Sequence, residues 1–287
     1  RVEKSVYPAL IRREVPVGGS FVALNQTQHS GPISLKGTFD HAHYDENGIK
    51  SYTPSDYVNQ MNIPAGERVA FTNTDTESKT VAAPYEVFRY LERYNPVTLN
   101  RTLQPGDTLK LDNISTRSFS VNVDGQHHYV TYTEGNRVSH YGNPIEREVH
   151  SVTADEWHIV TNSGLSAMTV KAPFDAFSVN ARLTPALYKG YVSSGESLKF
   201  KSGSSAVFNV DLNGTYDQAS YRQDNGLRSM DRKTTSRLPL YPNERATVTN
   251  SGNTQLVILA PYDVINAEVS QTPALIIRHL LADKSVE

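Results

Sequence analysis

Two histidines and three carboxylates lie close together in the segment 40–46, which reads Asp-His-Ala-His-Tyr-Asp-Glu. On a β-strand, His41 and His43 would place both rings on the same face, because side chains alternate between the two faces. Imidazole and carboxylate groups bind zinc in proteins, so Asp45 could complete the ligand set. The pattern predicts a candidate metal site at His41, His43 and Asp45. The alternative is that these are solvated polar residues beside a loop.

Tyrosines near the same segment suggest a second kind of site. An aromatic ring can cover the apolar face of a pyranose, and this is how many β-sandwich modules bind sugars. The candidate ligand-binding residues are Tyr44, Tyr132, Tyr221, Tyr52 and Tyr141. The alternative is that these tyrosines are half-buried packing residues whose hydroxyl groups reach water.

The sequence carries no recognisable catalytic motif. It has no cysteine, which excludes disulfides, thiolate nucleophiles and cysteine-ligated zinc. It contains no G-x-S-x-G, no phosphate-binding glycine loop and no H-E-x-x-H. Asp45 and Glu46 could act as a general acid and base, but adjacent carboxylates before Asn-Gly are typical of a turn. We therefore predict that the protein is not an enzyme and needs no cofactor.

Composition excludes two classes of partner. The 28 basic and 30 acidic residues leave a net charge of -2, so the basic surface of a nucleic-acid-binding protein is not expected. No stretch approaches the roughly 18 consecutive apolar residues of a membrane-spanning helix. The expected partners are neighbouring repeats of the same chain and, at a cell surface, a glycan or a protein.

An internal repeat organises the whole chain. Pro8, Pro96, Pro185 and Pro273 follow one another at intervals of 88, 89 and 88 residues. Several other residues keep the same interval: Gly37, Gly125 and Gly214; Tyr44, Tyr132 and Tyr221; Glu67, Glu156 and Glu244; and the Thr-Asn pairs at 72–73, 161–162 and 249–250. We interpret the repeated asparagines as residues that hold turns through their side chains. So many positions in register indicate three copies of one unit.

Short runs of alternating apolar residues predict β-strands in each copy. Residues 119–123 (Phe-Ser-Val-Asn-Val) and 208–212 (Phe-Asn-Val-Asp-Leu) are examples, and each is followed by Asp-Gly or Asn-Gly, which favours a hairpin turn at Gly125 and Gly214. About six to eight strands are expected per copy. Segments 85–91 and 274–281 would also fit short helices, but Pro16 in the equivalent of the second segment, 9–16, favours strand.

The predicted fold class is all-β, with three tandem β-sandwich domains, jelly-roll or Ig-like, of about 88 residues each. The expected boundaries are 1–93, 94–182 and 183–271 for the three repeats. Residues 272–287 are expected to be the opening strand of a fourth repeat or a C-terminal extension. On this interpretation the sequence is a piece of a longer array.

In its organisation the array resembles the tandem β-sandwich regions of secreted or surface-attached bacterial proteins, which act as stalks, adhesins or layer-forming modules. The resemblance implies a non-enzymatic structural or adhesive segment of a larger protein, located outside the cell or at its surface. Two alternatives stay open: a carbohydrate-binding repeat array, and the stalk or receptor-binding part of a secreted toxin or hydrolase.

Overall fold

The computed structural model describes residues 7–268, with the side chains of all of these except 143–145 and 268. The described chain is almost entirely β-structure, in three similar sheets. This confirms the predicted fold class of three tandem β domains. The predicted strand at 272–287 lies outside the described residues. No helix in the described range is long and apolar enough to cross a membrane.

Each repeat contributes seven strands. The first has β1 (Leu10–Val15), β2 (Ser20–Asn25), β3 (Gly31–Asp45), β4 (Gly48–Ile63), β5 (Arg68–Asn73), β6 (Lys79–Pro84) and β7 (Phe88–Arg93). The second has β8 (Thr98–Leu103), β9 (Thr108–Asn113), β10 (Phe119–Thr133), β11 (Arg137–Val152), β12 (Trp157–Asn162), β13 (Met168–Pro173) and β14 (Phe177–Arg182). The third has β15 (Leu187–Val192), β16 (Ser197–Ser202), β17 (Phe208–Tyr221), β18 (Leu227–Leu240), β19 (Arg245–Asn250), β20 (Leu256–Pro261) and β21 (Ile265–Glu268). Single turns of 3₁₀ helix occur at Glu134–Asn136, Phe174–Ala176 and Tyr262–Val264.

The three sheets have one topology. In the first repeat the strand order is β1-β6-β3-β5-β2-β7, with β4 paired to β3. The order in the second and third repeats is the same when each strand is replaced by its counterpart. The pairs β3–β4, β2–β5 and β1–β6 are nested, as they are when one long hairpin is rolled into a sandwich. The sequence repeat is therefore also a repeat of strand pairing.

The core of the first repeat comes from alternate residues of these strands. Phe21, Phe39 and Phe71 are fully buried, and the rings of Phe21 and Phe71 stack with centroids 5.1 Å apart. Strand β2 alternates buried and half-buried residues, as a strand with one face on a core must. Segment 9–16 forms strand β1, as predicted, and segment 85–91 forms a short turn followed by β7 rather than a helix.

The hairpin turns predicted at Asp124-Gly125 and Asn213-Gly214 are wrong. Both glycines lie inside a long strand, Gly125 in β10 and Gly214 in β17, with φ of 134° and 140°. Strand β17 pairs with β20 up to Asn213 and with β19 from Tyr216, with a register shift between. The glycine therefore marks a bulge where one strand passes from one partner to another across the sandwich.

The described chain divides into two compact units that do not follow the repeats. The first unit holds the chain up to His127 together with Pro144–His158 and Asn162–Arg182. The second holds His128–Asn143, Ile159–Thr161 and the chain from Leu183 onward. The end of the β10–β11 hairpin is thus grouped with the third repeat. This grouping arises because the end of the β10–β11 hairpin contacts the third repeat.

Candidate functional site

Within the first unit, the β3–β4 hairpin of the first repeat packs on the second repeat. Tyr44 is buried, and its hydroxyl donates a hydrogen bond to Asp175 Oδ2. The same carboxylate oxygen accepts a hydrogen bond from Arg93 Nη1 at 2.8 Å. Burial and the hydrogen bond to Asp175 raise the pKa of Tyr44, so the phenol stays neutral. We call these contacts, with those of Asp45 and Tyr52 below, the first junction.

Asp45 and Tyr52 extend the first junction. Arg117 Nη2 donates to Asp45 Oδ2 at 2.6 Å, and this hydrogen bond lowers the pKa of Asp45. Tyr52 hydrogen-bonds to Thr98 Oγ1 at 2.8 Å, and Thr98 Oγ1 donates to Asp40 Oδ2 at 2.5 Å. Because the threonine proton goes to the carboxylate, Tyr52 must be the donor of the first bond. Burial raises the pKa of Tyr52 to about 12.

The second unit brings the equivalent residues together through a different hydrogen bond. The Asp263 amide donates to the Tyr132 hydroxyl at 3.3 Å, and these residues are 131 positions apart, like Tyr44 and Asp175. Tyr141 donates to the carbonyl of Asn209 at 3.1 Å. Tyr132 is fully buried and Tyr141 is half-buried. We call this set the second junction.

The turns between repeats also recur. The Val97 amide donates to Thr72 Oγ1 at 2.7 Å in the first unit, and the Ala186 amide donates to Thr161 Oγ1 at 2.7 Å in the second. The neighbouring Asn73 donates from Nδ2 to the carbonyls of Val15 and Glu77, both at 2.9 Å. In the first two repeats the Thr of this pair thus links the repeat to its successor, while the Asn closes the turn of its own repeat.

Tyr221 of the third repeat has a different environment. It is half-buried, with the Arg245 guanidinium 5.2 Å from its ring centroid. It lines a polar groove with Lys199, Arg222 and Asn225. Sugar binding by the five tyrosines remains a prediction, but Tyr44 and Tyr132 are buried at junctions and present no open face for stacking.

His41 and His43 lie on one face of β3, with ring centroids 5.6 Å apart. His41 Nε2 contacts Asp56 Oδ2 at 3.1 Å, while Asp45 binds Arg117 at the first junction. Burial lowers the pKa of His43. In the part of the chain that the structure describes, His41, His43 and Asp45 do not converge as a three-ligand group.

A different group does converge, in the second repeat. His127, Glu148 and His150 each offer a ligand atom, and these atoms all lie within 4.8 Å of one another. His127 Nε2 and His150 Nε2 are 2.9 Å apart, and His150 Nε2 is 3.8 Å from Glu148 Oε2. The ring of His158 packs on His150, with centroids 4.5 Å apart. We call His127, Glu148, His150 and His158 the histidine cluster.

From the sequence alone, His127 and His128 point to opposite faces of a strand and cannot chelate together without further ligands. The structure supplies one from the neighbouring strand, because β11 pairs with β10 and brings His150 beside His127. Strand β10 has 15 residues and strand β11 has 16. The sequence of neither strand shows which residue of one lies opposite which residue of the other. The usable signal was the repeat alignment, because positions 127, 150 and 158 hold histidine in the second repeat and other residues in the first and third.

The junction tyrosines predict loss of stability at alkaline pH. An unfolded tyrosine ionises near pH 10, whereas burial keeps Tyr44, Tyr52 and Tyr141 neutral to higher pH. Above about pH 10 the unfolded chain therefore loses protons that the folded chain keeps, and stability falls as pH rises. We expect the free energy of unfolding to fall steeply between about pH 10 and 12. Exposed tyrosines such as Tyr94 should ionise near pH 10 in the folded chain, and a second rise in tyrosinate absorbance should accompany unfolding at higher pH. Ionisation of all 16 tyrosines near pH 10 with the fold intact would contradict the prediction.

A scan against protein-family models gave no match, and a search of curated proteins gave none at a significant level.

Proposed function

We propose that this chain is a non-enzymatic structural or adhesive tandem-repeat segment of a larger secreted or cell-surface bacterial protein. The observation that carries the proposal is the recurring junction. Tyr44 with Asp175, and Tyr132 with Asp263, are the same residue types at the same separation, and both pairs join a hairpin to the repeat that follows. The Tyr44 hydroxyl donates to the Asp175 carboxylate, whereas the Tyr132 hydroxyl accepts from the Asp263 amide. A segment that bears load or holds other domains apart needs such fixed connections between its repeats.

The groups at each junction are suited to this role. Tyr44 and Tyr132 bury large rings, which contribute most of the contact energy at an interface. Asp175 is held by both Tyr44 and Arg93, so one carboxylate ties the hairpin to the turn between repeats. The connection at Thr72 and Val97 adds a backbone hydrogen bond at the turn itself.

The test is to stretch the full chain between its two ends. Each repeat of about 88 residues should unfold as one event that lengthens the tether by about 300 Å, since an extended chain spans about 3.3–3.6 Å per residue. We expect three such events. Asp175→Ala should lower the force of the events assigned to the first two repeats, while Asp224→Ala, in an exposed loop of the third repeat, serves as the matched control and should leave them unchanged. Extension without resistance would contradict a load-bearing role.

A carbohydrate-binding array is the second candidate, and the groove beside Tyr221 favours it. Lys199, Arg222 and Asn225 supply hydrogen-bonding groups around a half-exposed ring, which is the composition of a sugar site. A glycan array probed with the full chain and with Tyr221→Ala separates the candidates. Glycan binding by the unchanged chain that is lost in Tyr221→Ala supports sugar binding at this groove. If the unchanged chain binds no glycan, the carbohydrate-binding candidate is eliminated.

A further inference from the structure

We propose that the second repeat binds one divalent transition-metal ion, of the class that includes Zn²⁺, through His127 Nε2, His150 Nε2 and the carboxylate of Glu148. These three donors lie within 4.8 Å of one another in the β10–β11 pair. Two imidazoles and one carboxylate form a ligand set that zinc sites use, with a further position left for water. The proposal does not depend on the structural role of the array.

The other two repeats provide an internal control. His127 occupies the core position of Phe39 and Tyr216, which are fully buried. Histidines also replace apolar residues at two other sites: His150 corresponds to Met61 and Leu238, and His158 corresponds to Val69 and Ala246. In the first and third repeats these three positions hold apolar side chains, with Tyr216 as the one exception, and the same fold forms. Burying three imidazoles instead costs free energy unless they gain strong partners, and a metal ion is such a partner.

The orientation of His127 is that of a ligand. Its Nδ1 lies 2.8 Å from the carbonyl of Gly125. A carbonyl only accepts, so Nδ1 carries the proton and Nε2 carries the lone pair that faces His150. Metal-binding histidines commonly donate their other ring nitrogen to a backbone carbonyl in this way, which fixes both tautomer and ring direction.

The two nitrogen donors need little adjustment to hold an ion, and the longer distance of 3.8 Å from His150 Nε2 to Glu148 Oε2 requires the carboxylate to move closer. With zinc–nitrogen bonds of about 2.0–2.1 Å, two tetrahedral nitrogen ligands are about 3.3 Å apart. The two Nε2 atoms are 2.9 Å apart, so a movement of a few tenths of an ångström is enough. Glu148 Oε2 is buried and receives no hydrogen bond from the described residues. An ion between these atoms would satisfy it.

One of the three proposed ligands can be reached from solvent. Glu148 lines a groove with Asp124, Arg147 and Tyr52 that is open to solvent.

The proposal is tested by titrating the full, tag-free chain with Zn²⁺ alone in a calorimeter, and with Co²⁺ alone in a spectrophotometer. We expect one ion per chain, a raised melting temperature with Zn²⁺, and visible absorption bands of low-coordinate Co²⁺. His127→Phe and His150→Met install the residues of the first repeat at the same core positions. Each should weaken binding at least 100-fold while the chain stays folded.

Two further variants keep the result interpretable. Glu148 is half-exposed, so the Glu148→Gln variant should fold normally and still bind the metal ion more weakly. The double variant His41→Gln with His43→Gln is the matched control, and it should bind as the unchanged chain does. The proposal is overturned if the unchanged chain binds no ion, if His127→Phe and Glu148→Gln bind normally, or if binding is lost only in the His41 and His43 variant.

Discussion

Replacing Gly125 by alanine is expected to lower the free energy of unfolding by about 2–6 kcal/mol. The backbone there has a φ of 134°, which costs a residue with a side chain about 1–3 kcal/mol. The new Cβ would also lie 2.3 Å from Met168 Cβ and 3.0 Å from Met168 Cα. Because these atoms cannot rotate away, strands β10 and β13 must separate, which adds a further overpacking cost of about 1–3 kcal/mol.

The measurement is denaturant unfolding followed by tryptophan fluorescence. The chain has a single tryptophan, Trp157 in β12, so the signal reports on the second repeat. Gly106→Ala is the matched control in the same repeat. Gly106 also has positive φ, at 90°, but a Cβ there meets nothing within 4 Å. We expect it to cost about 1–2 kcal/mol. If both variants lose the same free energy of unfolding, the close approach of the new Cβ to Met168 does not contribute to the destabilisation.

This glycine illustrates where sequence reasoning reached its limit for the fold. The recurrence of Gly37, Gly125 and Gly214 was visible, and so was the alternation of apolar residues before each. Asp-Gly and Asn-Gly are local signals for a hairpin turn. Whether a chain turns or continues there depends on the next strand of the sheet, and at Gly214 the strand changes partner from β20 to β19. Local sequence carries no information about that exchange.

The tyrosines show the same limit for the site. Their repetition identified Tyr44, Tyr132 and Tyr221 as important positions, but not what they contact. The partner of Tyr44 is Asp175, 131 residues away in the next repeat. The repeat interval predicts which residues are equivalent, whereas contact across a junction depends on how far the hairpin β3–β4 extends from its own sandwich. The histidine cluster was missed for a related reason, because it needs the register of β10 against β11.

Tyr44 and Asp175 offer the sharpest test of coupling between the first and second repeats. Tyr44→Ala should lower the free energy of unfolding by about 3–5 kcal/mol, since it removes a buried aromatic ring and leaves a cavity at the first junction. Tyr44→Phe keeps the ring and loses only the hydrogen bond to Asp175, so we expect a loss of about 1–2 kcal/mol. Arg93 still binds Asp175 in that variant, which limits the cost.

The substituted residue and the fluorescent reporter lie in different repeats. Tyr44 belongs to the first repeat and Trp157 to the second. If the junction couples the repeats, Tyr44→Ala shifts the unfolding transition reported by Trp157, and Tyr44→Phe with Asp175→Asn gives an interaction energy of about 0.5–3 kcal/mol in a double-mutant cycle. If the Trp157 transition stays in place, the second repeat gains no stability from the hairpin, and the load-bearing role that rests on the junctions fails with it.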